Sequence, residues 1–485
     1  MVEEMKPWDL IRLSLKGTAY LAVITSVLLL GFLGFLAVNY SPTYVYRLLA
    51  LNVADVEDYQ HFPYRTLQPA ESTFLFEANT NEALVESLFH EELMITGFEN
   101  FEEWAVASQT NAFLVIHKDT LIYENYFNGY NRESLFHSQS VAKSFISLLI
   151  GFAIEDGLIS SVSDPMTRYI PELNERDPRF SDITIRDLLM MTSGISYNES
   201  MLPVLNIHSP FHDEAVGYYH NDVRKLLLEQ VDVGGDPGKK FQYNNYNTSY
   251  LGLIIERVTG QSVSSYLEEK LWSRIMKYEA LFSIDNEENG FEYMPSRLIA
   301  RAIDYARFGR LILNEGNWVG DQIIPAEWIN ESVTESEYRP EGLYPDWFNQ
   351  WNGRMFYKYQ WWGYANSDST VHFFANGNLG QVIYVVPDQD LIMVHCGNSN
   401  ALFSPDDLRH AAHCFKYREF HQATLEMGVE AAVSEFRSRY ERQARNPYFD
   451  EQFIEALAYA YDVTGRKTEA ELLNTFKSEV FQAGR

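Results

Sequence analysis

Between Gly17 and Tyr46 the chain runs thirty residues without an Asp, Glu, Lys or Arg. The centre of that stretch, Ala19 to Val38, is twenty residues of almost unbroken apolar character. At 1.5 Å per residue a helix of that length reaches about 30 Å, the thickness of a bilayer's hydrocarbon. Three outcomes are open to such a segment: a membrane anchor, a cleaved signal sequence or a buried helix. It is longer than a usual signal h-region, and no A-x-A-like cleavage site closes it. A buried helix at a terminus rarely lacks a polar face. The expectation is an uncleaved anchor over residues 17–40. Lys6, Arg12 and Lys16 precede it, while Arg47 is the one Lys or Arg in the eighteen residues after Tyr46. The positive-inside bias then keeps residues 1–16 in the cytoplasm and the rest on the extracytoplasmic side, periplasmic in a Gram-negative source.

With 485 residues the chain exceeds what one core usually organises, so a large domain with accessory segments is expected. Its 38 Lys and Arg stand against 67 Asp and Glu, a net charge of −29. A field of that sign repels phosphate backbones, so no nucleic-acid partner is expected. Two cysteines build neither a disulfide scaffold nor a Cys-rich zinc site. Cys396 and Cys414 either pair or stay as two buried thiols, the second being the expectation.

Residues 41–105 mix aromatic, acidic and short apolar stretches and read as a lead-in segment. From Ala112 to His117 and Leu121 to Phe127, two apolar runs around Lys118-Asp119-Thr120 read as a pair of strands. Val141 to Glu155 is apolar on nearly every side and closes at Asp156-Gly157, as a buried helix with a glycine cap does. Further helices are expected at Ile185–Met191, Tyr250–Val258 and Ile299–Leu313. Two apolar runs between Val382 and Cys396 flank Pro387-Asp388-Gln389-Asp390, a hairpin signature. Strands first, helices in the middle and strands last fit an α+β fold: an antiparallel sheet fed by both ends, with a helical region inserted. Residues 405–485 read as helical only, a packing appendage resembling one or two tetratricopeptide-like hairpins.

Ser140-Val141-Ala142-Lys143 opens the buried helix. Residues three apart share a helix face, so the hydroxyl and the amine can meet. A serine needs an adjacent base to attack a carbonyl, and a lysine serves only when burial lowers its pKa. The apolar surroundings of Lys143 supply that condition, and the helix N-terminus offers N–H groups to a developing oxyanion. Alone the spacing is weak, because about one or two Ser-x-x-Lys pairs arise by chance in a chain this long. A second cluster, Tyr243-Asn244-Asn245, follows about a hundred residues later, and a glycine-rich strand entry, Ala375-Asn376-Gly377-Asn378-Leu379-Gly380-Gln381, comes near the end.

With these three motifs in order, the chain resembles the serine β-lactamase and penicillin-binding transpeptidase superfamily, most closely its class C and esterase branch. Asp164-Pro165, Tyr169-Ile170-Pro171, Ile183 to Gly194 and Ala306 to Leu311 carry the resemblance further, over roughly residues 110–400. It implies a hydrolase domain over 106–404 with the β-lactamase/transpeptidase-like fold. It also implies that Ser140 forms an acyl-enzyme, Lys143 is its base, Tyr243 shuttles protons and Asn245 orients the lysine and the substrate. Backbone N–H groups of Ser140 and Asn378 form the implied oxyanion hole. Where many members carry Lys-Thr-Gly, Ala375 stands in place of the cation, which argues against efficient β-lactam hydrolysis. Ala-x-Gly-x-x-Gly-Gln with Tyr359-Gln360-Trp361-Trp362 upstream looks like hydrolases of 6-aminohexanoate oligomers and small esters. A small linear amide or ester is the expected substrate, contacted by Ala375, Asn376, Gly377 and Tyr197.

Of Trp361 and Trp362, both candidates for substrate contact, one is expected in the core and one in the pocket wall. No cofactor is expected. The twelve histidines show no ligand spacing, and His90-Glu91-Glu92 lacks the second histidine of a zinc protease. His137 reads as structural, His372 as equally suited to the cleft wall or elsewhere, and Asp304 and Arg307 as helix partners. Two competing functions stay open: a D-alanyl peptidase or β-lactamase, and a silent binding scaffold whose C-terminal helices hold a protein partner.

Overall fold

Strands that are apolar on both sides must be covered on both sides. The computed structural model describes residues 7–51, 55–199, 201–202, 207–335, 355–366, 369–440 and 449–482, and within it these runs become the middle layer of a sandwich. Along the chain, β1 (Tyr64–Leu67), β5 (Phe136–His137), β6 (Ala280–Ser283) and β7 (Leu298–Ala300) form a small sheet in the order β1-β6-β7-β5. The large sheet takes β2 (Glu77–Ala78), β3 (Thr110–His117) and β4 (Thr120–Tyr126) from the N-terminal side. From the C-terminal side come β8 (Met355–Lys358), β9 (Trp361–Ala365), β10 (Val371–Gly377), β11 (Gln381–Val386) and β12 (Leu391–Gly397). Its order is β8-β9-β10-β11-β12-β3-β4-β2, antiparallel except where β2 runs parallel to β4. The two ends of the chain meet at β12 and β3, with Leu391 opposite His117 and His395 opposite Phe113. This is the α+β architecture expected from the order of elements.

Alternation along each strand divides the core in two. Leu114, Ile116, Phe373, Ala375, Ile383, Val385, Ile392 and Val394 face inward to the helical region. Phe113, Val115, Phe374, Tyr384, Met393 and their neighbours face outward. Against the inner face lie α6 (Ala142–Glu155) and α10 (Ala302–Leu313), numbered along the chain, where Phe145 stacks on Phe308 at 3.7 Å between ring centroids. Gly309 lets α10 approach, because a Cβ there would meet Ile392 at 2.9 Å and Ile383 at 3.0 Å. The inserted region contributes α7 (Ile185–Leu189), α8 (Asp213–Tyr219) and α9 (Asn245–Thr259). The helix expected from Ile299 starts later, because Leu298–Ala300 pairs with β5 and β6 as a strand.

The outer face is covered by both segments that the sequence set apart. The lead-in supplies α3 (Glu82–Leu88), α4 (His90–Thr96) and α5 (Phe101–Ala107), through Val85, Phe89, Phe101 and Trp104. The C-terminal part supplies α11 (Pro405–Lys416), whose Leu408, Ala411, Ala412 and Phe415 enter the same cluster. Behind it follow α12 (Arg418–Met427), α13 (Val429–Tyr440), α14 (Glu451–Val463) and α15 (Lys467–Lys477). The expected boundary at 404/405 therefore falls inside the sheet's outer layer. Cys396 and Cys414 are free, buried and in separate clusters on the two sides of the sheet.

The apolar N-terminal stretch is α1 (Pro7–Asn39), and its Leu15–Asn39 part is long and apolar enough to cross a membrane, by length and composition. Residues 1–6 of the expected cytoplasmic tail lie outside the described residues. After it, α2 (Pro42–Leu51) docks on the inserted region. Tyr44 Oη donates to the Pro210 carbonyl at 2.6 Å, and Arg47 donates to the carbonyls of Tyr219, His220 and Asp285 at 3.4, 3.3 and 2.9 Å.

Candidate active site

Ser140 sits in a single turn of 3₁₀-helix, Gln139–Val141, that feeds α6. Its neighbour Gln139 has φ +44°, a left-handed conformation that a residue with a side chain holds at a cost of about 1–3 kcal/mol. The surroundings enforce it. The Gln139 N–H donates to His137 Nδ1 at 3.0 Å, the Ser138 N–H to the Leu298 carbonyl at 2.8 Å, and Ser138 Oγ to the Ser296 carbonyl at 2.9 Å. Residues 136–139 are thereby buried while Ser140 emerges half-exposed. Burial beside the Arg297 cation pushes His137 down to about 3, so its ring stays neutral and Nδ1 remains an acceptor. His137 is the structural residue that the sequence suggested.

One turn further, Lys143 is buried, with 1% of its surface exposed. Its Nζ lies 2.8 Å from Ser140 Oγ and 2.9 Å from the Pro295 carbonyl oxygen. Burial pushes the amine down to about 7, and the Glu214 carboxylate on α8 partly offsets that. The neutral amine that a base requires is therefore populated at neutral pH.

Tyr243 and Asn245 flank the start of α9. Asn244 between them caps the helix by accepting from the Tyr246 N–H at 2.9 Å, and its own amide donates to the Ile195 carbonyl at 3.1 Å. This cap fixes the Tyr243 ring 4.8 Å from Lys143 Nζ. Burial raises the Tyr243 phenol, and a hydrogen bond with Ser140 works the other way. Asn245 Oδ1 and Tyr293 Oη are both buried with no hydrogen-bond partner among the described residues.

The third motif arrives as the end of β10. A Cβ on Gly377 would lie 2.7 Å from the Ser138 carbonyl oxygen, 2.9 Å from Gln139 Cβ and 3.0 Å from the Ser140 nitrogen. Only glycine admits this approach, which packs the turn beginning at Asn378 against the turn that carries Ser140. Ala375 is fully buried on the same strand face and brings no charge. Strand alternation turns Asn376 away from that face. Asn378 is exposed, and its side chain accepts from Asn400 at 2.5 Å.

The cleft wall is aromatic. Trp362 stacks on Tyr243 at 5.9 Å, and Tyr357 meets both, at 4.7 Å and 6.1 Å. Trp361 points the other way into the core, stacked on Phe308 and edge-on to Phe373. Tyr197 packs edge-on against Tyr246 at 5.5 Å and feels the Glu214 charge that Lys143 and Tyr243 also feel. His372 lies on the outer face, 3.1 Å from Tyr384 Oη, away from the cleft. Arg307 pairs with Asp304 at 3.0 Å, and Asp304 also accepts the N–H groups of Lys277 and Tyr278, a structural arrangement as expected.

Pro295, Glu214, Tyr357 and the strained Gln139 were not singled out from the sequence. Only the aromatic density of Met355 to Trp362 hinted at Tyr357; the others reach the site through long-range packing.

The beta-lactamase family profile matches residues 99–413. A 6-aminohexanoate-dimer hydrolase of Paenarthrobacter ureafaciens is 28% identical over 307 residues, 62% of this chain and 76% of that protein. A Bacillus anthracis structure assigned as a 6-aminohexanoate-dimer hydrolase superposes with a TM-score of 0.62 at 25% identity, covering 76% of this chain and 95% of that one. EstCE1, a hydrolase with promiscuous acyltransferase activity, shares the fold at a TM-score of 0.52 and 14% identity, over 68% and 98% of the two chains. With motifs, fold and relatives in agreement, this chain is a serine hydrolase that belongs to the beta-lactamase family.

Proposed function

We propose that the protein hydrolyses a linear amide or ester of small size through an acyl-enzyme on Ser140. The observation that carries this reading is the buried Lys143 amine 2.8 Å from Ser140 Oγ. In its neutral form the amine accepts the Ser140 proton while Oγ bonds to the substrate carbonyl carbon. The resulting oxyanion is held by the N–H groups of Ser140 and Asn378. The proton passes from Lys143 by way of the Tyr243 phenol to the leaving amine or alcohol, and the carbon–leaving-group bond breaks. Water then attacks the acyl ester, its proton returning by the same route, and Ser140 is regenerated.

Two features support a linear substrate that is not recognised through a carboxylate. Trp362, Tyr357, Phe241 and Met191 make an apolar wall suited to a methylene chain. The charge felt in common by Lys143, Tyr197 and Tyr243 is the Glu214 carboxylate, and position 375 holds no cation. A substrate recognised through its own carboxylate, as a penicillin is, would meet repulsion there. We place the catalytic domain on the extracytoplasmic side, held by α1 as an anchor. An added protein partner for the C-terminal helices is the weaker proposal, since much of their apolar surface is spent on the sheet and on one another.

A fluorophosphonate should label the detergent-solubilised chain at Ser140, and Ser140→Ala should lose the label. Hydrolysis should then appear on linear amides or acyl esters in a panel that also holds D-amino-acid amides and β-lactams. Stable acylation by a fluorescent penicillin would instead favour the cell-wall peptidase reading, and absence of any labelling would favour the silent scaffold.

A further inference from the structure

On the outer face of the sheet, far in sequence from the Ser140 machinery, four metal-ligating side chains converge. Glu91 comes from α4, His410 and Cys414 from α11 one helical turn apart, and His421 from the start of α12. His421 Nε2 lies 2.9 and 3.0 Å from the two Glu91 oxygens, and His410 Nε2 lies 3.3 Å from Glu91 Oε2. Cys414 Sγ lies 3.4 Å from His410 Nε2 and 3.8 Å from Glu91 Oε2. The ligand atoms of Glu91, Cys414 and His421 all fall within 4.8 Å of one another. No ligand spacing along the chain marks this cluster, because Glu91 and Cys414 are 323 residues apart.

We propose that Glu91, His410, Cys414 and His421 form a structural zinc site that clamps the lead-in segment to the C-terminal helices. Zinc bonds of 2.0–2.3 Å in a tetrahedron put ligand atoms about 3.3–3.8 Å apart, the range around which these distances cluster. Closure on an ion asks for shifts of about an ångström, chiefly at the partly exposed His410, which stands outside the group of ligand atoms that lie within 4.8 Å of one another. A thiolate with two imidazoles selects zinc over magnesium or calcium. Charge also closes: the dication is balanced by one thiolate and one carboxylate, with both imidazoles neutral and the thiol proton released to solvent. Glu91, Cys414 and His421 are each exposed by 1% or less, so an unbalanced charge there would be costly. His410 keeps 21% of its side chain exposed and gives an ion a way in. Phe453 lies beside both rings, at 6.5 Å from His410 and 6.1 Å from His421, and shields the cluster on that side. Four protein ligands leave no open position, which makes the site structural and not catalytic.

The test uses the full chain in detergent, stripped with a chelator and titrated with Zn²⁺ or Co²⁺. One equivalent of zinc should bind, and the cobalt form should show a thiolate-to-metal charge-transfer band with tetrahedral d–d bands. Cys414→Ser should abolish the charge-transfer band, Cys396→Ala should keep it, and His421→Gln should weaken affinity at least tenfold. Circular dichroism reports folding of each variant independently of hydrolysis. A folded wild-type chain that binds no stoichiometric zinc, or whose cobalt form lacks the thiolate band, overturns the site, and this outcome needs no variant. A band that survives in folded Cys414→Ser overturns it as well.

Discussion

Lys143 holds a position that opposes folding and favours chemistry. Burial lowers its amine from the ordinary 10.5 to about 7. Below pH 7 both folded and unfolded chains carry the proton, and the folded state bears the full penalty, about 5 kcal/mol. Between about 7 and 10.5 the unfolded chain alone is protonated, so this penalty shrinks as pH rises and is gone above 10.5. Lys143→Met should therefore melt at a higher temperature than the parent at pH 6, by a margin that narrows toward pH 10. The same variant should lose hydrolysis by about 10²–10⁴-fold. For the parent, kcat/KM should climb through an acid limb near pH 7 as the amine loses its proton. Glu214 raises the amine's pKa, so Glu214→Gln should move that limb to lower pH. A limb that stays or moves upward would remove Glu214 from the electrostatics of the site.

At the scale of elements, the site depends on two backbone devices. The first is the contact between β10 and the Ser140 turn. Gly377→Ala puts a methyl 2.7 Å from the Ser138 carbonyl oxygen, so strand and turn must separate. Losing one oxyanion donor costs about 10²–10³ in kcat, and that drop is expected here with circular dichroism unchanged. The second is the two-residue turn Tyr359-Gln360 between β8 and β9, where φ is +45° and +66°. Turns of this kind favour Asn-Gly, yet the buried Gln360 does what glycine cannot. Its amide donates to the carbonyls of Leu188 and Leu189, both at 3.1 Å, and accepts from Thr248 Oγ1 at 2.9 Å. Its own carbonyl accepts from Ser144 Oγ on α6 at 2.8 Å. The side chain ties the aromatic wall to α7 and α9, and the backbone carbonyl ties it to α6. Gln360→Ala removes these side-chain bonds and leaves the buried Thr248 hydroxyl without its acceptor, while the Leu188 and Leu189 carbonyls keep the N–H groups of Met191 and residue 360; it should cost about 1–3 kcal/mol, read by urea unfolding.

Over the whole molecule, the sheet is the partition. The helix that carries Lys143 packs on its inner side, and the lead-in and C-terminal helices close its outer side. Deleting residues 405–485 would uncover Val382, Tyr384, Val386, Leu391 and Met393, all buried in the intact chain. Such a truncation should aggregate on expression and not yield a working enzyme that merely lacks a partner. A soluble, active truncation would restore the view of these helices as an appendage.

The sequence by itself marked the residues of the candidate site. Ser140 and Lys143 were legible because helix periodicity brings residues three apart together, and Tyr243, Asn245 and Gly377 because the motifs stand in a family order. It also determined the sheet, since runs such as Val382 to Val386 are apolar on both faces and can only lie between two layers. What the tertiary structure decided is everything whose cause lies far along the chain. Pro295 accepts from Lys143 across 152 residues, Glu214 acts through space, and His372 is turned outward by its place in the strand. Trp361 and Trp362 differ by one position and therefore face opposite layers, a choice that register makes and composition does not. Glu91 meets His421 for the same reason: burial of one sheet face joins the two ends of the chain, and no local pattern records which side chains then touch.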